Sequence, residues 1–497
     1  MRKAFTYFLI CLLSFSCTRD LNTPTDSTPQ FLSFEISHEK NPKNIQKDLA
    51  FKFTGDHLSA RTTRLTDIHH LIPSFETNAV LVTSKGKPVL SGSTAMDFTR
   101  PVEYELTNEN GATTIIKAEL TNFTNLPVIR IQTEGKQPIN SKEDYVAAKI
   151  TLQSPNQKET FQQKVQIKGH GNSTWVMPKK PYKFKFDHKQ ALLGMPAAKP
   201  WLLLANWYDT SALRTSTSMA MGKLSHLSWT PKMRYTELFL NGIYQGTYQL
   251  SEQVKINKNR VNISDDGYLL EIDQPDRLSP DDISFETAKM LVVIKDPDIA
   301  PHSDRYQFIK DYVNKVESVL YSDQFMDPEN GYAKYLDVES FVDWYLINEI
   351  TKNNDAIFYS SCYMHLPPGG KLTMGPIWDF DLALGNVNYN NNDAPEGFWV
   401  KNAVWISRLF EDPAFVQKVK DRFKFFQQKQ GAILDSIEQN AQLLHWAAIE
   451  NNYKWHNLDP QSSAEDLVSL SFDQHKTRLI EWFNTRMEWL NTAFSLM

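Results

Sequence analysis

The sequence predicts an α+β fold of two lobes, preceded by a small all-β domain. Over 31–125, short β-type runs alternate with turn signals at roughly ten-residue spacing, which is typical of an Ig-like β-sandwich. Strands predominate over 126–300, whereas 301–497 carries apolar residues mainly at helical spacing. None of the 12 Trp residues lies before Trp175, so the composition also changes between the first domain and the rest.

Residues 1–16 predict a secretory signal peptide. Arg2 and Lys3 give it a positive start, and the run that follows is apolar apart from a few hydroxyl side chains. The ending at Cys17 resembles the lipobox of bacterial lipoproteins, with Leu13 one residue further away than usual. We expect lipid on Cys17, a polar tether over 17–30, and anchoring in the cell envelope, on the periplasmic or surface side of a diderm bacterial membrane. Secretion without lipid is the alternative.

Composition excludes several classes of protein. Of the three Cys residues, Cys11 would leave with the signal peptide and Cys17 would carry the lipid, so Cys362 has a possible disulfide partner only if Cys17 stays free. A net charge of −5 gives no sign of nucleic-acid binding, which favours a basic surface. An aromatic content of 12% argues against disorder. The all-β domain has no cluster of catalytic residue types, and we expect it to act as a spacer.

A pair of acids follows a predicted buried strand over 372–378. Asp379 and Asp381 are two residues apart, so an extended chain would point both carboxylates to one face and Phe380 to the other. Anionic groups at the end of a buried strand are costly unless a cation meets them, and Mg²⁺ or Ca²⁺ prefers such oxygen ligands. An ordinary Asp pair capping a turn is the alternative.

A glycine-containing loop over 169–175 precedes a strand that carries lysines. Two glycines among small polar residues would let backbone N–H groups approach an anion closely, although a plain hairpin would also explain them. In the next strand, alternation places Lys183 and Lys185 on one face and three aromatic residues on the other. Protein kinases use this layout around the phosphates of ATP. A solvated edge strand is the alternative.

The other elements follow in order. Asp209 predicts a helix N-cap before Arg214, and Asn241-Gly242 between two β-type runs predicts a tight hairpin. Further strands are predicted over 126–132, 145–152, 165–168, 201–206, 267–273 and 356–359, and helices over 304–320, 337–350 and from 404 onward.

Several stretches, in this order, resemble the CotH-type atypical kinases. They are Lys168-Gly-His-Gly-Asn-Ser-Thr-Trp175, Lys180-Pro-Tyr-Lys183, Asn206 with Asp209-Thr-Ser and Arg214, Asn241-Gly-Ile-Tyr-Gln-Gly-Thr-Tyr248, Asn354-Asp355 and Trp378-Asp-Phe-Asp-Leu-Ala-Leu-Gly385. The resemblance covers 126–497 and implies a distant, two-lobed protein-kinase fold. It also implies transfer of the γ-phosphoryl of ATP to a protein, with Mg²⁺, Mn²⁺ or Ca²⁺. The N-terminal part resembles the sandwich that precedes such domains in Bacteroidetes-type lipoproteins.

The resemblance also implies roles for individual acids. Asp355 matches the catalytic-loop acid, which orients the acceptor hydroxyl and takes its proton, and Asp379 matches the acid that holds the metal. The spore-coat branch has an amide shortly after the catalytic acid, where this sequence has Ser360-Ser-Cys-Tyr-Met364. Asp381 is therefore the candidate for a second metal-binding group.

On the phosphate side, Lys183 is the first choice for the lysine that contacts the nucleotide, with Lys180 and Lys185 as rivals. Asn172 would lie in the hairpin that covers the phosphates. Arg214 would either clamp a phosphate or anchor its helix.

We therefore expect a lipid-anchored, extracytoplasmic kinase that acts on a protein or another surface acceptor. A non-catalytic surface protein that binds proteins or glycans is the main alternative, since 12 Trp and 19 Tyr would suit sugar stacking. A glycoside hydrolase that uses Asp355 with Asp379 is a third hypothesis.

Overall fold

The computed structural model describes residues 28–155, 160–456 and 467–497, and the chain divides into two compact units between Asn122 and Phe123. The predicted signal peptide, Cys17 and most of the predicted tether lie outside the described residues. Within those residues, none of the helices combines the length and hydropathy that a membrane span requires.

The first unit is all-β. Its strands form two sheets, with orders β2-β1-β5 and β3-β4-β9-β8-β6-β7. The two sheets share one apolar core, in which Tyr104 lies 5.6 Å from Phe31 and 5.5 Å from Phe34 between ring centroids. The strands are β1 (Phe31–Ile36), β2 (Leu49–Ala50), β3 (Lys52–Thr54), β4 (His57–Arg61), β5 (Ser74–Thr77), β6 (Leu81–Ser84), β7 (Lys87–Pro88), β8 (Val102–Thr107) and β9 (Thr113–Thr121).

The second unit begins with a closed barrel of order β10-β11-β12-β13-β14-β16-β15, in which β10 and β15 pair in parallel. The strands are β10 (Val128–Thr133), β11 (Val146–Gln153), β12 (Thr160–Gly169), β13 (Tyr182–Leu192), β14 (Met195–Leu204), β15 (Met233–Leu240) and β16 (Ile243–Glu252). The predicted hairpin is confirmed, because β15 and β16 meet at Asn241 and Gly242 with φ of 52° and 85°.

The predicted alternation along β13 is also confirmed. Tyr182, Phe184 and Phe186 are buried in the barrel core, and Lys183 and Lys185 point outward. Since β13 pairs with both β12 and β14, it has no free edge, and the edge-strand alternative is wrong.

Besides the barrel, the described part of the second unit contains a five-stranded sheet and seven α-helices. Together they give the predicted α+β class. The sheet has order β18-β19-β17-β20-β21. Its strands are β17 (Tyr268–Asp273), β18 (Ile283–Glu286), β19 (Leu291–Asp296), β20 (Cys362–Leu366) and β21 (Thr373–Met374). The helices are α1 (Arg214–Leu224), α2 (Asp304–Leu320), α3 (Val338–Ile350), α4 (Val404–Leu409), α5 (Pro413–Gln428), α6 (Gln430–Trp455) and α7 (Leu467–Ser495).

Two predicted strands are wrong. The stretch 356–359 belongs to a turn, in which the N–H groups of Tyr359 and Ser360 both donate to the Asp355 carbonyl, and the strand starts at Cys362 instead. Within 372–378, only Thr373 and Met374 form a strand. Phe358, Leu372 and Ile377 in these stretches are buried in the core, and burial alone does not require a strand.

A fully buried ion pair links α3 to α7. Arg486 Nη2 lies 2.6 Å from Glu349 Oε1, and neither side chain is accessible to solvent. The Glu349 carboxylate also accepts hydrogen bonds from the backbone N–H groups of Trp399 and Lys401. The Arg486 guanidinium donates to the carbonyls of Glu349, Pro395 and Gly397.

We predict that Arg486→Met lowers the free energy of unfolding by about 3–5 kcal/mol, because it leaves the Glu349 carboxylate buried without a counter-ion. The matched control is Lys476→Met, which breaks the partly exposed pair between Lys476 and Glu438 on α7 and α6. We expect that control to cost less than about 1 kcal/mol. Denaturant unfolding measures both, and equal losses would contradict the assignment.

Candidate active site

A cleft of about 510 Å³ opens within the second unit, between the outer face of the barrel and the five-stranded sheet that contains β17. Five of the eight candidate site residues line it, namely Asn172, Lys183, Asp355, Asp379 and Asp381. The structure thus brings together residues that lie more than 200 positions apart in the sequence. Lys180, Lys185 and Arg214 are not among the lining residues.

Lys183 faces the cleft from the outer surface of β13. Burial, together with the charges of Lys168, Lys255 and Lys295, lowers the pKa of Lys183 to about 8. Among the described residues, its ammonium group forms no hydrogen bond and no ion pair. A largely buried cation without a counter-ion is unfavourable by itself and is suited to binding an anionic ligand.

The other cations proposed for this role are occupied elsewhere. Lys180 Nζ donates to the carbonyl of Trp175 at 2.7 Å and lies 4.8 Å from the centroid of that ring, so it stabilises the turn before β13. Lys185 Nζ lies 4.0 Å from the ring centroid of Tyr145. Neither ammonium group points into the cleft.

Arg214 anchors the first turn of α1. Its Nη1 donates to Asp209 Oδ1 at 2.8 Å, and the Arg214 backbone N–H donates to Asp209 Oδ2 at 2.9 Å. Both side chains are buried. The contacts are those of the anchoring alternative rather than of a phosphate clamp.

The glycine-containing loop 169–175 forms one wall of the cleft. A Cβ at Gly169 would lie 2.5 Å from the Trp175 ring, and Gly171 has a φ of +80°, so both positions require glycine. Asn172 Oδ1 accepts a hydrogen bond from Lys142 Nζ at 3.2 Å. Burial and the charges of Lys183 and Lys168 lower the pKa of His170 to about 3, so its imidazole is neutral.

Asp355 lies in a 3-10 turn that follows α3. Asn354 Nδ2 donates to Asp355 Oδ1 at 2.8 Å, and Asn354 Oδ1 accepts from the Nδ2 atoms of Asn390 and Asn392 at 3.0 and 3.1 Å. Trp399 Nε1 donates to the Asn354 carbonyl at 3.0 Å. Most of these contacts fix Asn354, and its side-chain amide in turn positions one oxygen of the Asp355 carboxylate.

Asp379 and Asp381 line the cleft on either side of Phe380, which is fully buried in the core. The two carboxylates thus lie apart from the Phe380 ring, as predicted. A turn rather than a strand produces this arrangement, because Asp379 has a φ of 61°. Asp is among the non-glycine residues that adopt this left-handed conformation most readily. Asn353 Nδ2 holds this turn by donating to the Asp379 carbonyl at 3.2 Å.

The acids repel one another electrostatically. Although solvent reaches Asp379, surrounding protein atoms and the charge of Asp355 raise its pKa to about 6. Burial and the charges of Asp379 and Asp209 raise the pKa of Asp381 well above its usual range. Because the charge of Asp379 is among the causes of the raised pKa of Asp381, ionising both carboxyl groups together is unfavourable. Carboxylate oxygens are the donors that a hard divalent cation prefers, and its binding would displace any proton they retain.

The cleft contains charged residues that the sequence analysis did not single out. Lys295 Nζ lies 3.3 Å from both Glu271 Oε2 and Asp282 Oδ1. Arg277 Nη1 lies 3.7 Å from Asp355 Oδ2. The sequence shows Glu271 and Asp273 at the end of the predicted strand 267–273, whereas no local pattern marks Arg277 or Lys295.

Comparisons with known proteins give one informative match. The sequence model of a protein family described as "CotH kinase protein" matches residues 165–490. A crystal structure named as a "putative glycoside hydrolase" from Bacteroides thetaiotaomicron is 13% identical, covering 58% of this chain and 88% of that chain. Its TM-score of 0.17 is too low to bear on fold or function. No curated protein matches the sequence.

We predict that Asp379→Asn stabilises the protein by roughly 1 kcal/mol at pH 7.5 with EDTA present. The pKa of Asp379 is raised from 3.8 in the unfolded chain to about 6, so stability falls as the pH rises through that window. Asn removes the charge, and solvent screening limits the gain. At pH 3 the carboxyl is protonated in both states, so the variant should match the wild type. Thermal unfolding at both pH values tests this, with the exposed Asp435→Asn as control.

Proposed function

This chain belongs to the CotH kinase protein family, and on that premise we propose that it is a phosphotransferase. It would move the γ-phosphoryl group of ATP onto a hydroxyl of a protein or another surface acceptor. The observation that carries this proposal is the cleft itself, which brings the unpaired ammonium group of Lys183 together with the carboxylates of Asp355 and Asp379.

The barrel face supports binding of a nucleotide. Directly paired residues on neighbouring strands form a row of Lys168, Lys183, Leu202, Ser251 and Met233. One end of this row is cationic and suits phosphates, and the other contains apolar side chains that suit a nucleobase. The row therefore matches a ligand with one charged end and one flat apolar end.

The acids supply the other half of the chemistry. Asp355 would orient the acceptor hydroxyl and take its proton. Asp379 and Asp381 would hold a divalent cation, because both line the cleft and their carboxylate oxygens are donors that such a cation prefers. When bound, that cation would neutralise charge on the phosphates. No cluster of three or more His, Cys, Asp or Glu side chains suited to a metal occurs in the part of the chain that the structure describes. Mg²⁺ is commonly held by one or two carboxylates, with phosphates and water as further ligands.

We further propose that the protein works at the cell envelope, held by lipid on Cys17, with the all-β unit as a spacer. The acceptor would then be a surface protein or another exposed hydroxyl. This part rests on the N-terminal sequence pattern.

The direct test uses γ-labelled ATP with Mg²⁺ or Mn²⁺ and the chain from residue 28 onward. We predict that Asp355→Asn and Asp379→Ala each lower label incorporation by on the order of 10³-fold or more, because transition-state stabilisation is lost. The exposed Asp323→Asn serves as control and should retain wild-type activity. Equal incorporation by all variants would remove both role assignments. If no acceptor is labelled, a non-catalytic binding function is favoured.

A second prediction separates the lysines of β13. Lys183→Met should lower kcat/KM for ATP by on the order of 10²–10³-fold, because it removes the unpaired cation from the cleft. Lys185→Met is the matched control, since Lys185 lies on the same face of the same strand but contacts Tyr145 instead. Steady-state kinetics with varied ATP measure both. A larger loss in the Lys185 variant would contradict the assignment.

A further inference from the structure

Arg277 reaches the cleft from a 3-10 turn, Pro275–Arg277, that follows β17. Its guanidinium carbon lies 4.9 Å from the ring centroid of Tyr359, and Gln274 Nε2 donates to the Tyr359 carbonyl at 3.0 Å. The Arg277 turn is therefore held against the turn that carries Asp355.

The guanidinium group of Arg277 is held in place, but most of its N–H donors have no partner in the described protein. Its Nη1 lies 3.7 Å from Asp355 Oδ2, which is an ion-pair distance but too long for a hydrogen bond. In the described parts of the chain, the Arg277 side chain donates no hydrogen bond. Its side chain is only 26% exposed, so water can satisfy only part of its five N–H donors. Such a group is prepared to bind an anion.

The position of Arg277 places that anion in the cleft next to the acids. Arg277 lies 3.7 Å from Asp355, and both residues line the same cleft as Asp379. The segment 356–364, which follows Asp355, contains no Lys or Arg. Arg277 supplies a positive charge on this side of the cleft, whereas Lys183 acts from the barrel side.

We propose that Arg277 is a further catalytic residue, which donates hydrogen bonds to the phosphoryl group as it is transferred; this inference rests on the proposed function. In the step, the acceptor oxygen forms a bond to the γ-phosphorus and its proton passes to Asp355. The bond to the β,γ-bridging oxygen breaks, and its electron pair leaves with ADP. Arg277 keeps all its protons and stabilises the charge spread over the oxygens of the transferring group.

The test compares Arg277→Ala, Arg277→Lys and wild type in single-turnover transfer from γ-labelled ATP, using the full mature chain. We expect Arg277→Ala to lower the rate of transfer by about 10²–10³-fold while KM for ATP changes less than about threefold. Arg277→Lys should recover little, because an ammonium group lacks the planar fork of donors. The control is Arg305→Ala, which removes an arginine that stacks on Tyr268 outside the cleft.

Chemical rescue separates catalysis from a structural role. Millimolar guanidinium chloride should restore part of the rate of Arg277→Ala in a saturable way, whereas equal sodium chloride should not. Wild-type rates in the Ala variant would overturn the proposal, as would a loss confined to KM for the acceptor or a loss without rescue. If wild type transfers no phosphoryl group, the proposed function falls together with this inference. If wild type is active and Arg277→Ala equals it, only the inference falls.

Discussion

The second unit depends on the buried ion pair between Glu349 and Arg486. Two charges inside a core are tolerated only if their remaining hydrogen-bonding capacity is satisfied, and backbone groups of 395–401 provide the partners. The pair therefore fixes a stretch of chain that has little regular structure of its own. Lys352 reinforces it by donating to the carbonyls of Asn391, Ala394 and Glu396.

The same end of α3 then determines the geometry of the proposed catalytic acids. The side chains of Asn390, Asn392 and Trp399 donate hydrogen bonds to Asn354. These bonds hold the turn that carries Asp355. The Asp379 turn is tied to the same place, because Thr351 accepts a hydrogen bond from the N–H of Leu384 and Asn353 donates to Asp379. Backbone and side-chain contacts at one helix end thus position both acids.

Local patterns in the sequence were sufficient for some parts of this structure. The alternation along β13, the Asn241-Gly242 hairpin and the acids at 379 and 381 each depend on neighbouring residues. Barrel closure depends on pairing between β10 and β15, which lie about a hundred residues apart, and no local pattern reports it. The same reason explains why Arg277 was missed: its importance comes from Tyr359 and Asp355, which only the fold brings near. Lys180 and Lys183 look alike in sequence, and only their contacts separate them.

The cleft contains two unfavourable charge arrangements that the fold keeps apart. Lys183 is fixed on a barrel strand without a counter-ion, and Asp379 and Asp381 repel each other on a turn tied to α3. Direct pairing of the lysine with an acid would relieve both, but among the described residues no such ion pair exists. A ligand that presents anionic groups to the lysine and a cation to the acids relieves both at once, and a metal-bound nucleotide has that distribution of charge. The electrostatic cost carried by the free protein therefore favours binding of such a ligand over either component alone.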